Sequence, residues 1–349
     1  MNMKLWGKEY TKREIMQNIG DVTQAFGLRS STINDGAGRG MRIIDLKTGG
    51  GLTATIVPDR GLDIYNLSFN NIPISFVSKV GYIAPSLYEH PGAGFLRSFT
   101  AGMLTTCGYR NMGNSCTDDG EVLDTHGRAS ATPAEFLSQK GEWIGDDYIM
   151  EISGAMREAV VFGEYIRMTR KITAKAGENK IIVEDTLENA GYNTQPMQLL
   201  YHCNFGYPMV AAGSKLVSGK TLDIKPRDPA AASGFDTCRE FCDPIHDYAE
   251  QCFYYTFEPD ADKMAWAGIY NPNLDMTAYV KFDMTTLPHM IEWKQMGEGD
   301  YVCGLEPATW YPEGRAAARE RGCLDFIEPG EIKHFKLELG IEAGNKEIK

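Results

Sequence analysis

The chain lacks most of the signatures that assign a chemistry at sight. It has no Cys-x-x-Cys pair, no His-Glu-x-x-His, no Gly-x-Ser-x-Gly and no Walker loop. A zinc ribbon, a zinc hydrolase, an elbow-type serine hydrolase and a P-loop nucleotide site therefore have no support. The run GAGRG at 36–40 lacks the Gly-x-Gly-x-x-Gly spacing and the βα setting that would make it a dinucleotide loop. No apolar run approaches the ~20 residues of a membrane span. The opening residues MNMKLWGKEYTKRE hold no apolar core of a secretory signal, so a cytoplasmic protein without a membrane partner is expected. Basic residues are the minority: 35 Lys and Arg against 47 Asp and Glu, a net charge of −12. Such a surface repels phosphates, so nucleic acid is not an expected partner.

What is present is ordinary for a globular protein. The 349 residues are 43% hydrophobic and 23% charged, enough to build a large core. The eight cysteines, at 107, 116, 203, 238, 242, 252, 303 and 323, suit free thiols in a reducing compartment. Cys238 and Cys242 are the closest pair, and no histidine or second close pair supports a metal site there.

Helical signal is confined to the start. TKREIMQNIG at 11–20 pairs Thr11 with Glu14 as a capping box, shares Ile15, Met16 and Ile19 on one face, and can stop at Gly20. Short β-rich runs follow: LTATIVP (52–58), LDIYNLSF (62–69) and ISFVSKV (74–80). YIRMTRKITA and IIVEDTLEN flank KAGENK as a hairpin, and AWAGIYN, MTAYVKF and HFKLELGI read as further strands. AAARERG (316–322) suits a single helical turn. The stretch 211–250 has no clear periodicity, and a connection this long is usually functional or mobile. No βα alternation, repeat or composition shift divides the chain. The expectation is a mainly β protein of stacked antiparallel sheets, one domain over 1–349 with a short N-terminal helix at about 11–20.

Three residues stand out as carriers of chemistry. His126 lies in the turn DTHGRAS, His202 ends the apolar run LLYHC, and Glu306 lies in YVCGLEPATWYP. Polar groups at strand ends are well placed to face a groove. Each histidine, taken alone, reads more readily as a core imidazole bonded to backbone. Glu306 follows Val302, Cys303 and Leu305, so its carboxylate must find partners or a solvated cleft. A metal site built from scattered His126, His202, His246 and a carboxylate has no supporting spacing, and no metal is expected.

HCNFGYP at 202–208, GLEPAT at 304–309, HGR at 126–128 and TTLPHMIEW at 285–293 together resemble the aldose 1-epimerases, the sugar mutarotases. His126, His202 and Glu306 occur in the family's order, and the likeness covers roughly residues 40–340. VPDRGLDI, TAGMLTTCG and the Trp293-Lys294 pair mark a divergent branch. The resemblance implies a galactose-mutarotase-like β-supersandwich with a sugar cleft on a concave sheet face, a small-molecule sugar as partner and no cofactor. His202 then stands for the general acid, Glu306 for the general base and His126 for a second histidine that holds the sugar ring. Arg97 in GFLRSF stands for the sugar-binding arginine, and Glu250 for the sugar-binding aspartate. Arg128 replaces the second glycine of His-Gly-Gly and would add charge near the cleft, which leaves room for an acidic or modified sugar. Lys294, Trp293 and Trp310 flank the carboxylate motif as sugar contacts, with core packing the alternative for both tryptophans. Asn204 would share a strand face with His202. Asp59 and Arg60 read as a turn with a local ion pair.

The expected activity is cofactor-independent interconversion of the anomers of an aldose or sugar derivative. A non-catalytic carbohydrate-binding protein on the same fold stays open. So, behind it, does a metal-dependent sugar isomerase. Oligomeric state is not indicated.

Overall fold

The computed structural model describes residues 3–89 and 92–348. Among them, antiparallel strands form an eight-stranded sheet, a seven-stranded sheet and a five-stranded N-terminal sheet, with two small two-stranded ribbons. The expected helix is real but short: Lys12–Met16, capped by Thr11 and Glu14 in a reciprocal capping box, with Ile15 buried. The KAGENK hairpin joins strands Tyr165–Lys175 and Lys180–Asn189, and AAARERG falls in the helix Arg315–Glu320. In Lys180–Asn189, buried and half-buried positions alternate along the strand, as a sheet with one covered face requires. ISFVSKV departs from expectation. Ser75 and Val77 make only isolated bridges, to Phe205 and Ala101, and the run crosses the end of the seven-stranded sheet instead of joining it.

The seven-stranded sheet positions the site. Its central strands are Gln251–Phe257, His289–Gly297, Asp300–Ala308 and Gln195–Gly206, with Thr105–Tyr109 paired on the far side of the last. One hydrophobic cluster runs from Met3 and Leu5 through Ile172, Leu199 and Phe253 to Ile341. All eight cysteines are free thiols.

A charged knot lies inside this apolar layer. Arg170, wholly buried, donates to Asp185 through Nε (2.9 Å) and Nη2 (2.6 Å) and to Asp63 through Nη1 (2.7 Å). It also donates to the Gly61 carbonyl and the Thr106 hydroxyl, while the Tyr201 hydroxyl donates to Asp185 at 2.7 Å. The Thr106 hydroxyl and N–H both donate to Asp63. Two carboxylates close on one guanidinium, so the charge is paid back by short, well-aligned bonds.

Removing one member of such a buried cluster leaves the others uncompensated. Arg170→Met is expected to lose about 3–5 kcal/mol of stability, read as a fall in the urea midpoint. A loss below about 1 kcal/mol would show that the knot is not a fastening point.

Candidate active site

Strand register brings the two sequence-distant motifs together. Cys203 pairs with Leu305 and Leu200 with Ala308, which sets His202 directly across from Glu306 on one sheet face. His202 Nε2 lies 3.1 Å from Glu306 Oε1, and both side chains are buried. The contact is close but not aligned as a hydrogen bond: Glu306 Oε1 and His202 Nδ1 have no hydrogen-bond partner. Gly304, one step along the Glu306 face, makes the approach possible. A Cβ there would stand 2.7 Å from Glu306 Oε1 and 3.2 Å from His202 Cε1.

His126 enters from the turn after Glu121–Leu123, in the left-handed backbone region at φ 59°. Gly127 follows at φ 67°, where a Cβ would meet the Gly108 carbonyl oxygen at 2.6 Å, so the turn requires glycine. The N–H of Gly113 donates to His126 Nδ1 at 3.3 Å, which leaves the ring proton on Nε2. The His126 and His202 rings stand 5.8 Å apart.

Around these groups lies a cleft of about 620 Å³, walled by Phe95, Phe99 and Trp293. Trp293 stands edge-on to His202 at 5.3 Å and Phe99 packs on the same ring at 5.2 Å. Trp293 Nε1 donates to Glu250 (2.8 Å), whose other oxygen accepts from Arg227 (2.9 Å). Both Glu250 and Arg227 line the cleft. Arg227 and Glu250 bracket the irregular part of the aperiodic 211–250 stretch, which otherwise holds short strands Lys215–Ser218 and Thr221–Pro226 and a helical turn.

Burial sets the protonation states. It pushes the Glu306 carboxyl well above the usual range; the negative charge of Glu250 adds to this and Arg227 offsets part of it. Burial likewise drives His202 well below an ordinary histidine, with His126 adding to the effect and Asn204 opposing it. His126 is lowered to about 4 by burial, against a small opposing pull from Glu250. All three shifts favour the neutral forms, a carboxylic acid beside two neutral imidazoles.

Several expected contacts lie elsewhere. Lys294 does not reach the cleft. It points to the other face of its strand, where Nζ donates to the carbonyls of Thr237 and Glu240 and ties down the 211–250 connection. Residues 291, 293 and 295 take the cleft face instead. Trp310, beyond the end of its strand, packs edge-on against His289 and is not among the cleft residues. Arg97 sits on a short helix with its side chain in solvent, paired to Glu89. Arg128 faces away from the sugar-sized cleft, 3.8 Å from Asp124, beside a separate acidic cavity. Asn204 shares the face of His202 but is covered, donating to the carbonyls of Gly102 and His202; it supports the histidine from behind. Asp59 pairs with Arg42, not Arg60, and Arg60 donates to the carbonyls of Ser98 and Ile83. Arg227, Phe95 and Phe99 were not singled out by sequence reasoning. No local motif marks them, because loops and short helices carry them in. Among the described residues, no group of three or more His, Cys, Asp or Glu side chains is placed to hold a metal ion. No helix there is long and apolar enough to cross a membrane.

The architecture is that of the galactose mutarotase-like β-sandwiches. The chain belongs to the family described as a domain of unknown function, DUF4432, whose model matches residues 38–341. Its solved structural neighbours include proteins named as aldose 1-epimerases and galactose mutarotase-like proteins. A Klebsiella pneumoniae protein provisionally named an aldose 1-epimerase superposes with a TM-score of 0.86 at 25% identity, covering 94% of this chain and 85% of its own. A galactose mutarotase-like protein from Clostridium acetobutylicum gives 0.63 at 13% identity, covering 92% and 99%. Galactose 1-epimerase from Lactobacillus acidophilus gives 0.58 at 10% identity, covering 92% and 100%. No curated protein matches the chain.

The depressed histidines give a direct check. Followed by NMR, the His126 ring should protonate only as the pH falls to about 4, and the His202 ring should stay neutral well below the ordinary ~6.5. A normal titration of either ring would contradict the burial that lowers both.

Proposed function

We propose that the protein is a cofactor-independent carbohydrate epimerase that interconverts the anomers of an aldose or sugar derivative. The observation that carries this reading is the 3.1 Å pairing of His202 and Glu306 at the floor of an aromatic cleft. Ring opening of a cyclic hemiacetal needs a base at the anomeric hydroxyl and an acid at the ring oxygen. Both oxygens are bonded to the same carbon, so the acid and the base must stand side by side, as these two groups do.

In the forward step, Glu306 as carboxylate takes the proton of the anomeric hydroxyl. The O–H electrons form the aldehyde C=O, the bond from C1 to the ring oxygen breaks, and His202 as imidazolium gives its proton to that oxygen. Rotation about C1–C2 presents the other carbonyl face, and the steps reverse. The working pair, carboxylate beside imidazolium, holds the same one proton as the resting pair, acid beside imidazole. The two forms differ only in which partner holds that proton, so no net proton is gained or lost between them. His126, with Nε2–H, donates to a sugar oxygen. Trp293 and Phe99 cover the apolar C–H face of the ring. Glu250, held by Trp293 and Arg227, accepts from a sugar hydroxyl. Asn204 is a positioning residue for His202.

The test is saturation-transfer NMR of anomer exchange over a panel of aldoses. Glu306→Gln should lose about 10²–10⁴-fold in rate, the usual worth of one acid–base group. The pH profile carries a sign. Activity needs the pair to hold one proton: gaining a second removes the base, losing the first removes the acid. Because His202 is pushed down, the acid limb should fall well below the ordinary histidine ~6.5. Because Glu306 is pushed up, activity should persist until the pH rises through that raised value and should decline beyond it. Sugar binding without exchange in the wild type would favour the non-catalytic carbohydrate-binding reading.

A further inference from the structure

Three stretches of irregular chain complete the cleft wall around His126. Gly113 and Asn114 come from the connection after Thr105–Tyr109, Thr125 and His126 from the turn after Glu121–Leu123, and Pro312 from the connection after the Glu306 strand. Connections are ordinarily the mobile part of a fold. Here they pack backbone on backbone. Gly113 is in the left-handed region at φ 77°, and a Cβ there would overlap the Pro312 carbonyl. The N–H of Gly314 donates to the Met112 carbonyl at 3.1 Å. Gly113 also grips His126 twice. Its carbonyl accepts from the His126 main-chain N–H at 2.8 Å, and its own N–H donates to Nδ1 of the ring.

One side chain ties the three stretches together. Asn111 is 1% exposed. Its Oδ1 accepts from the main-chain N–H of Arg315 at 2.8 Å. Its Nδ2 donates to the Asp124 carbonyl at 2.7 Å and to the Asn114 carbonyl at 3.2 Å. A main-chain N–H only donates and a carbonyl only accepts, so these partners fix which way the carboxamide points. Each partner belongs to a different stretch. Asp124 stands just before Thr125 and His126, Asn114 follows Gly113, and Arg315 lies beyond Pro312. Asn111 itself continues the strand whose Thr105 pairs with His202. The chain segments that carry or flank His202, His126 and Glu306 therefore meet on one buried amide. The Cys116 thiol adds only a weak contact to Oδ1, at 3.6 Å.

We propose that Asn111 is a positioning residue that holds the His126 ring in its orientation and tautomer and locks it to the chain leaving the Glu306 strand. It acts through main chain and does not line the cleft. The kinetic consequence rests on the epimerase reading, in which His126 binds the sugar; the hold on the ring does not.

The test variant is Asn111→Asp, which keeps the size and an acceptor for Arg315 but replaces both donors by an acceptor. The first measurement is NMR of the His126 ring nitrogens. In the wild type Nδ1 should be bare and Nε2 protonated, as the Gly113 bond requires. In Asn111→Asp the ring should become a mixture of tautomers and titrate above the wild-type value of about 4. The second measurement is anomer exchange. KM should rise at least about tenfold while kcat stays within about threefold, the mark of lost binding with the acid–base pair intact. Cys116→Ala removes only the weak thiol contact and should match the wild type in both. The same changes in Cys116→Ala would trace the effect to packing and overturn the proposal. So would a wild-type His126 spectrum in folded Asn111→Asp, or an altered spectrum with KM unmoved. If the wild type exchanges no sugar, the epimerase reading fails by itself and the His126 spectrum alone decides on Asn111. If Asn111→Asp does not fold, amide hydrogen exchange in the wild type decides. The N–H groups of Arg315, Gly113 and His126 should be protected and open together, and independent opening overturns the proposal.

Discussion

The site depends on which way one strand faces, and a buried arginine fixes that. Tyr201 and His202 are neighbours, so their side chains leave Gln195–Gly206 on opposite faces. Tyr201 points into the layer between the sheets and donates to Asp185, which Arg170 holds. His202 points into the cleft. A slip of one residue would exchange the two faces, placing an imidazole against the charged knot and a phenol beside Glu306. The wrong register would take the Tyr201 hydroxyl from the buried Asp185 carboxylate and leave it one bond short. The same knot gathers Asp63 from the N-terminal sheet and Thr106 from the strand beside His202. One guanidinium thus fastens three sheets and sets the orientation of the strand that carries His202.

Fastening on one face permits an awkward arrangement on the other. His202 and Glu306 are both buried and both shifted toward their neutral forms, and neither has a full set of hydrogen bonds. Such a pair is costly to maintain. It persists because the strands beneath it are held from behind and because Gly304 leaves room for the two side chains to meet. The low solvation that makes the pair costly is also what shifts both groups toward their neutral forms.

The sequence was legible where one residue's neighbours decide the outcome. Thr11 and Glu14 form a capping box at that spacing, and the helix is there, though it ends at Met16, which faces solvent while Ile15 and Ile19 are buried. Alternation in 165–189 marks a hairpin whose outer face is partly solvated. The motifs around His126, His202 and Glu306 carried the fold class because they join a β-rich pattern to an ordered set of polar residues.

Legibility failed where both faces of a strand are covered. In His289–Gly297, polar and apolar residues occur on both sides, so alternation does not tell which face meets the cleft. Lys294 and Trp293 were equal claimants from sequence; packing gave Trp293 the cleft and Lys294 the carbonyls of Thr237 and Glu240. These two outcomes are linked. Lys294 holds the 211–250 connection from below, and that connection delivers Arg227 and Glu250 to the cleft, where Glu250 accepts a hydrogen bond from the indole N–H of Trp293. The lysine misread as a sugar contact therefore helps place the residues that line the cleft, through an aperiodic segment whose path no local pattern could reveal. Arg97 and Trp310 differ in kind. One extends from a short helix into solvent and the other lies past the last residue of its strand, so for both the deciding fact is where an element stops.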